Sequence, residues 1–135
     1  MEQKHKKYEG LIARCQGFAP VPTAVAHPCD ESSLKGAVEA AELGILQPIL
    51  VGPKARIQAV AAQFGLDISR YEIVDAEHSH AAAEEAVRLA REGKAEMLMK
   101  GSLHTDELMG AVVKTGTGLR TERRISHAFI MDVPT

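Results

Sequence analysis

The sequence predicts a three-layer α/β domain built on a mostly parallel sheet, and two features lead to this prediction. Short apolar runs of β type alternate with longer segments in which apolar residues recur at helical spacing. One run, ILQPILVG at residues 45–52, has almost no polar alternation, which is typical of a strand covered on both faces. Parallel strands joined by right-handed helical crossovers account for both features.

The chain is predicted to begin with a helix that precedes the sheet. Tyr8, Leu11, Ile12 and Cys15 recur at helical spacing, and Gly17 is a typical stop signal. Cys15 continues the apolar stripe, so we expect its thiol to be buried. The sequence therefore divides into an N-terminal helix over residues 1–18 and an α/β domain over residues 19–135.

From residue 20 onward, predicted strands and helices alternate. The strands are PVPTAVAHP, ILQPILVG, YEIVDA and AEMLMK, and a last β-rich run, SHAFIMDV, comes just before Pro134. Asp30 and Ser79 are expected to cap the helices that follow them, and Pro53 suits a first helical position. A further helix after AEMLMK has one apolar stripe, made of Leu108, Ala111, Val112 and Thr115.

Composition argues against several classes of partner. The formal net charge is -2 and aromatic residues are 4% with no Trp, so neither a basic surface nor stacking platforms for nucleic acid are indicated. No apolar run is long enough to span a bilayer, and MEQKHKKYEG lacks a signal-peptide core. The two cysteines fit no metal spacing. We therefore expect a cytoplasmic protein with no metal, no nucleic acid and no membrane among its partners.

The stretch MKGSLHTDEL, residues 99–108, is the strongest candidate for a site. It lies at the carboxyl end of a predicted strand, where ligands collect in open α/β sheets. Gly101 lets the backbone approach an anion, and the next helix offers unpaired N–H groups. Ser102 and Thr105 can donate hydrogen bonds to a phosphoryl or carbonyl oxygen, and His104 can exchange a proton near neutral pH.

A purely structural interpretation of this stretch is also open. Ser102 or Thr105 could be only an N-cap, with Asp106 and Glu107 placed in the first turn to complement the helix dipole. Those acids would oppose an incoming anion unless cations nearby outweigh them. Spacing alone leaves both interpretations standing.

A basic loop follows, KTGTGLRTERRISH at residues 114–127. The loop has four basic residues and one acidic residue, in a chain that is slightly acidic as a whole. The basic residues are Lys114, Arg120, Arg123 and Arg124, and the acidic one is Glu122. The GTG triplet indicates a flexible loop that allows close approach. Such a loop beside a glycine-serine turn suits a polyanionic small molecule, although a solvated surface loop would show the same composition.

Several segments together resemble one enzyme family, the phosphate acyltransferases. They are GILQPILVGPKARI, YEIVDAEH, AVRLAREGKAEMLMKGSLHTDEL and KTGTGLRTERRISHAFIMDVP, in the family's order from about Thr23 onward. The family comprises phosphate acetyl- and butyryltransferases, including forms fused to an enoyl-CoA hydratase. The resemblance implies the reaction acyl-CoA + phosphate ⇌ acyl phosphate + CoA. It also implies the isocitrate/isopropylmalate dehydrogenase type of fold, with two α/β domains and a cleft between them.

The resemblance implies roles for particular residues. His104 and Ser102 would be catalytic, and the phosphate or acyl group would be bound by Gly101, Ser102, Thr105 and Ser126. The candidates for the CoA phosphates are Lys114, Arg120, Arg123 and Arg124, without assignment of any one of them. The partners would be acyl-CoA and phosphate, with coenzyme A as a substrate and no other cofactor.

The chain departs from the family pattern in two ways. Family members are much longer, so this chain resembles the first domain of a two-domain enzyme and is expected to be inactive alone. The helix after His104 reads DELMGAVV, without the arginine that acetyl-type members tend to carry, which favours the butyryl-like or hydratase-fused branch. A homo-oligomer is expected, as in the family.

Two other functions are consistent with the sequence. A non-catalytic domain could keep the CoA or phosphate pocket without turnover. A decarboxylating dehydrogenase of the same fold would need a divalent metal and a nicotinamide, and the sequence shows neither an acidic metal cluster nor a dinucleotide loop.

Overall fold

A computed structural model describes residues 5–133 as five helices and four strands. In chain order the elements are α1 (Lys6–Cys15), β1 (Val21–Ala26), α2 (Glu31–Glu42), β2 (Leu46–Gly52), α3 (Lys54–Gln63), β3 (Glu72–Asp75), α4 (Ser79–Arg91), β4 (Met97–Lys100) and α5 (Thr105–Val113).

The four strands form one parallel sheet in the order β3-β2-β1-β4. β1 lies inside it, with Val25 opposite Leu50 of β2 on one side and Met99 of β4 on the other. The chain first adds strands outward from β1 and then returns across the sheet to place β4 on its other side. The direction of strand order therefore reverses between β1 and β4, which makes their boundary a topological switch point.

Successive residues of β1 point to opposite faces of the sheet, as strand geometry requires. Ala24 and Ala26 pack with buried residues of α4 and α5, such as Val87 and Leu108. Val25 instead joins a cluster with buried residues of α2 and α3. Helices thus cover both faces, and the predicted three-layer α/β architecture with a parallel sheet is confirmed.

Helix α2 begins where the sequence predicts. The Asp30 carboxylate accepts a hydrogen bond from the Ser33 backbone N–H at 2.9 Å. Helix α3 begins one residue later than predicted. Pro53 is its N-cap and not its first helical residue, and the first helical N–H, that of Lys54, donates to the Asp75 carboxylate at the end of β3 at 2.9 Å.

The cap of α4 is His78, so the prediction of Ser79 as the capping residue is wrong. The Nδ1 atom of His78 accepts from the Ala81 backbone N–H at 3.1 Å. Because His78 has taken this role, the Ser79 hydroxyl is left to make another contact. It donates to Glu107 of α5 at 2.7 Å, which ties the starts of α4 and α5 together.

Helix α1 lies outside the core. None of its residues is buried, and Cys15 is only half-buried, so the expected burial of its thiol is wrong. The reason is that the apolar stripe of α1 does not reach either core cluster. Its carboxyl end is held by Gln16, whose Nε2 donates to the Leu43 carbonyl at 3.0 Å.

The expected β-rich run over residues 126–133 is not a strand in the structure. Phe129 and Ile130 are 76% and 87% exposed. A strand needs a paired edge and a covered face, and the run has neither among residues 5–133. Pro134, the expected end of this run, lies outside the described residues.

Candidate functional site

The loops after β1 and β4 are hydrogen-bonded to each other at the switch point. The Gly101 N–H donates to the Ala26 carbonyl and the Ser102 N–H donates to the His27 carbonyl, both at 2.8 Å. In effect the pairing of the two strands continues for two residues beyond β4. This places His27 and Ser102 side by side at the carboxyl edge of the sheet, where open α/β sheets bind ligands.

Gly101 is required by this close approach. A Cβ atom at Gly101 would lie 2.3 Å from the Ala26 carbonyl oxygen and 2.5 Å from that of His27. Both distances are far below van der Waals contact, and both partners are backbone atoms that cannot rotate away. The glycine predicted to admit an anion therefore first admits a neighbouring loop of the same chain.

The Ser102 hydroxyl also bridges the two loops. It donates to the His27 carbonyl at 2.8 Å and accepts from the Cys29 N–H at 3.1 Å. Its single hydrogen is thereby used within the protein. One lone pair of the hydroxyl oxygen is used by the Cys29 N–H, and His27 Nδ1 lies 3.1 Å from the same oxygen, so in this geometry Ser102 holds the turn in place.

His27 is the buried member of the pair. It is 5% exposed, and its backbone has a φ of 56°, in the left-handed region that histidine adopts more readily than most residues. Its Nδ1 lies 3.0 Å from the Ser102 carbonyl oxygen and 3.1 Å from the Ser102 hydroxyl. Because a carbonyl can only accept, the geometry assigns the ring hydrogen to Nδ1.

An open cleft of about 830 Å³ lies over this junction. Its floor is made by the residues after β1 and β4, and the first turns of α2 and α5 border it, so two positive helix ends face it. The polar residues that line it are His27, Asp30, Ser32, Ser33, Arg56, Ser79, Lys100, Ser102, His104 and Glu107. Such an arrangement can bind a small polar or anionic molecule.

Besides its two histidines, the cleft is lined by two carboxylates and two cationic side chains, and each carboxylate accepts hydrogen bonds within the protein. Hydrogen bonds from the Ser33 side chain and backbone hold the pKa of Asp30 below its usual value. The hydrogen bond from the Ser79 hydroxyl lowers the pKa of Glu107 in the same way. Arg56 and Lys100 are exposed and balance these charges.

The N-cap of α5 is neither of the two residues proposed for it, Ser102 and Thr105. His104 is the N-cap, and its backbone N–H donates to Glu107 Oε1 at 3.4 Å. Thr105 is the first helical residue and is exposed, and Asp106 and Glu107 occupy the first turn as expected. Capping therefore uses neither Ser102 nor Thr105, whose hydroxyl roles differ: Ser102 bridges two loops, and Thr105 faces solvent.

The structure distributes the predicted site residues over several surfaces. Gly101, Ser102 and His104 line the switch-point cleft, with Thr105 directly after them. Lys114 lines a different cleft of about 710 Å³ between α4 and α5, where its Nζ lies 3.2 Å from Glu84 Oε1. Arg120, Arg123 and Arg124 line a third, of about 670 Å³, and Ser126 is exposed beyond it.

The basic loop is more ordered than its composition indicates. Arg91 of α4 donates to the Gly116 carbonyl, and also to that of Gly118 at 3.4 Å. The Gly118 N–H donates to the Lys114 carbonyl at 2.9 Å. A Cβ at Gly118 would lie 2.4 Å from the Val112 carbonyl oxygen, so this glycine does provide the close approach that the GTG triplet predicts.

Three basic residues that line the cleft, His27, Lys100 and Arg56, were given no specific role by the sequence prediction. His27 directly follows β1 and Lys100 ends β4 at the switch point, and this position was the available signal for them. Arg56 comes from the first turn of α3, where nothing in the local pattern marks it. Within residues 5–133, no cluster of three or more His, Cys, Asp or Glu could hold a metal ion. The same described part of the chain contains no helix that is both long and apolar enough to cross a membrane.

Known proteins similar to this chain are phosphate acyltransferases. No family model matches the sequence. The chain is 64% identical over 128 residues to a phosphate acetyltransferase of Rhizobium meliloti, an alignment that covers 95% of this chain and 40% of the relative. It is 39% identical to a phosphate butyryltransferase of Clostridium beijerinckii, over 95% of this chain and 42% of that protein. The resemblance noted from the sequence is confirmed.

The fold is also shared with these enzymes. A phosphotransacetylase from Streptococcus pyogenes superposes with a TM-score of 0.69 at 16% identity, covering 84% of this chain and 42% of that structure. The chain thus spans about two fifths of the length of the relatives it matches. The acetyltransferase is more similar to this chain than the butyryltransferase, so these identities do not support the butyryl-like alternative, and they do not test the hydratase-fused one.

Proposed function

From its similarity to phosphate acetyl- and butyryltransferases over nearly its whole length, we propose that this chain is part of an enzyme that moves an acyl group between CoA and phosphate. The identity of 64% over 128 residues carries the proposal. The reaction is acyl-CoA + phosphate ⇌ acyl phosphate + CoA. Because the chain spans 40% of that relative, the activity is proposed for the whole protein, in which residues 19–135 are proposed to form the α/β domain of the N-terminal part.

The chemistry makes defined demands on the site. An oxygen of hydrogen phosphate attacks the thioester carbonyl carbon, the carbon–sulfur bond breaks, and the phosphate hydrogen ends on the sulfur of CoA. An enzyme must hold the two substrates in line and stabilise the negative charge that develops on the carbonyl oxygen. Neither demand requires a metal or a prosthetic group, so coenzyme A enters as a substrate.

The switch-point cleft is the proposed place for phosphate. Phosphate or the acyl phosphate is bound there by the turn of Gly101 and Ser102 and by Thr105, with the free N–H groups at the start of α5. His104 is exposed at the same turn and orients the phosphate or donates to the developing oxyanion. Since the Ser102 hydroxyl is bonded to His27, Ser102 contributes by holding the turn in its binding geometry.

CoA is proposed to contact the basic loop. Lys114, Arg120, Arg123 and Arg124 are exposed and can bind its phosphates. Lys114 is paired with Glu84 across an exposed contact, which costs little to exchange for a phosphate. Ser126 follows the loop directly and is proposed as a further contact to the phosphate or acyl group.

The cellular setting of the reaction is also a proposal. The two cysteines, Cys15 and Cys29, are free thiols, which suits the reducing cytoplasm. β3 and β4 each pair with one strand in the described part of the chain, so each leaves an outer edge that can associate with another chain. We therefore expect a cytoplasmic homo-oligomer.

An assay of the whole protein tests the function. Acyl-CoA is mixed with phosphate, and release of the CoA thiol is followed with a thiol-reactive dye. We expect release that depends on phosphate and falls by about a hundredfold in His104→Ala, with His80→Ala, an exposed histidine outside the cleft, as the matched control. Absence of phosphate-dependent release from the whole protein would overturn the proposal.

The second candidate function is ligand binding without turnover. It is favoured for this chain by its coverage of 40% of the acetyltransferase relative. Calorimetry and the thiol assay on the whole protein separate the two: heat of binding of CoA or phosphate without thiol release supports a binding protein, and phosphate-dependent thiol release excludes it.

A further inference from the structure

His27 is buried, yet one of its two ring nitrogens, Nε2, has no hydrogen-bond partner among the described residues. The residue is 5% exposed and lines the switch-point cleft, although its Nδ1 is held by the Ser102 carbonyl at 3.0 Å. No hydrogen bond from Nε2 is present among residues 5–133. Within the same described part of the chain, every side-chain nitrogen or oxygen that is fully enclosed has a partner. Nε2 is therefore not enclosed, and the cleft is the open space that His27 lines.

The hydrogen bond to Ser102 also determines the chemistry of Nε2. A carbonyl oxygen accepts only, so the neutral ring carries its hydrogen on Nδ1. Nε2 then presents a lone pair to the cleft and can accept a hydrogen bond. A buried imidazole with one nitrogen fixed by the backbone is held in a single orientation, which a flexible surface side chain is not.

The groups around this nitrogen suit an anion that also has a hydroxyl. Lys100 at the end of β4 and Arg56 from α3 supply positive charge, and His104 lies at the start of α5. The acids that share the cleft, Asp30 from α2 and Glu107 from α5, accept hydrogen bonds from serines. The Thr105 and Asp106 backbone N–H groups have no acceptor among the described residues and open on the same helix end.

We propose that His27 is a phosphate-binding residue whose Nε2 accepts the hydroxyl hydrogen of hydrogen phosphate in this cleft. The anionic oxygens of the phosphate are bound by the N–H groups of α5 and by the cations. Hydrogen phosphate carries one hydroxyl, so this contact distinguishes that oxygen from the others and sets the orientation of the ion. The proposal deepens the proposed function and rests on it for the identity of the ligand.

The substitution His27→Asn isolates the contact. The asparagine amide can replace Nδ1–H as the donor to the Ser102 carbonyl, and asparagine tolerates the left-handed backbone at this position. It has no atom in the place of Nε2. His5→Asn is the matched control, because His5 is an exposed histidine that does not line the cleft.

Inorganic phosphate is the probe, titrated into the ¹⁵N-labelled 135-residue chain. In the unsubstituted protein we expect a saturable shift of the His27 Nε2 resonance, with Nδ1 remaining the protonated nitrogen. We expect His27→Asn to weaken phosphate binding about tenfold or more, as for a lost hydrogen bond to an ion, and His5→Asn to leave it unchanged. The Ser102 amide resonance reports whether the turn keeps its geometry in each variant.

The outcomes separate this inference from the function on which it rests. Saturable phosphate binding at the α5 amides that leaves the His27 ring unmoved overturns the role of His27 and leaves the phosphate cleft standing. Undiminished affinity in His27→Asn does the same. Absence of any phosphate binding overturns both the role of His27 and the proposed phosphate cleft in this chain. Because the ring measurement uses the unsubstituted protein, a variant that fails to fold does not prevent the test.

Discussion

The hydroxyl of Ser102 donates to the backbone carbonyl of His27 over 2.8 Å, between residues that lie 75 positions apart in the chain. The bond joins the loop after β4 to the loop after β1 at the edge where the candidate site lies. The histidine and the serine that the family resemblance implies as catalytic therefore have different surroundings. His104 is exposed at the cleft, whereas Ser102 is a support of the turn that presents it.

Removal of that hydroxyl should reduce stability before it affects chemistry. Ser102→Ala removes one of the donors to the His27 carbonyl and one of the two acceptors of the Cys29 N–H, so we expect the free energy of unfolding to fall by about 0.5–1.5 kcal/mol. Urea denaturation measures the change. Ser69→Ala, which removes an exposed serine bonded only to Asp67 in the described structure, should change it by less than about 0.5 kcal/mol. Equal effects at the two positions would contradict the bridging role of Ser102.

Gly101 should tolerate no side chain. The added Cβ of Gly101→Ala would lie 2.3 Å from the Ala26 carbonyl oxygen, so the two loops must separate, at a cost of more than about 2 kcal/mol. Gly110→Ala is the matched control within α5, because its Cβ meets nothing within 4 Å. There we expect a gain of about 0.5–1 kcal/mol from helix propensity. Thermal unfolding of both variants would decide, and a stable Gly101→Ala protein would refute the close approach.

The capping carboxylate of Asp30 should make stability depend on acid. Its folded-state pKa is lowered by hydrogen bonds from Ser33, so the folded protein holds the ionised form more tightly than the unfolded chain does. Its contribution is present above the usual aspartate value near 4 and is lost as the pH falls through the lower folded value. Because Asp30 is exposed, we expect Asp30→Ala to cost only about 1 kcal/mol at pH 7.

Urea titrations of Asp30→Ala and the unsubstituted chain at several pH values test this dependence. The difference in unfolding free energy between the two proteins should shrink as the pH is lowered below about 4. A difference that stays constant from pH 7 into that acidic range would show that the carboxylate charge does not contribute to the cap.

Arg91 should control the order of the basic loop. Its guanidinium donates to the carbonyls of Gly116 and Gly118, and the adjoining amides of Gly118 and Leu119 are bonded back to α5 and its cap. In Arg91→Ala we expect faster hydrogen exchange at those two amides, with the exchange of β1 amides unchanged. Arg70→Ala, at an exposed arginine outside this loop, is the control. Unaltered exchange at Gly118 would mean that the loop is held without Arg91.

The architecture was predictable because it depends on periodicity. Buried β2 has few polar residues, and Leu34, Ala37 and Val38 of α2 recur at helical spacing, so the layers follow from the pattern of the chain. The start of α2 was also predictable, since Asp30 and Ser33 are local neighbours. These features require no knowledge of distant contacts.

Other features depend on contacts that no local pattern records. The adjacent Gly101 and Ser102 indicate a turn. Their hydrogen-bond partners, however, lie at the end of β1 and on the loop after it, so they are known only once the strand order is known. The β propensity of residues 126–133 failed for the converse reason, because a strand requires a neighbour and the described structure provides none. Cys15 likewise continues an apolar stripe that meets no core.

The strand order has a consequence for how the domain folds. β1 precedes the other strands in the chain, yet its two neighbours are β2, which soon follows, and β4, which is synthesised last of the four. Closing the long loop between β1 and β4 is entropically costly, so the pair that forms the cleft should join late in folding. Pulse-labelled hydrogen exchange should then protect the amides bonded between β1 and β2 before those of Gly101 and Ser102, whose early protection would contradict this order. A binding surface built in this way exists only once the whole sheet has assembled, so partly folded chains would present no competent site.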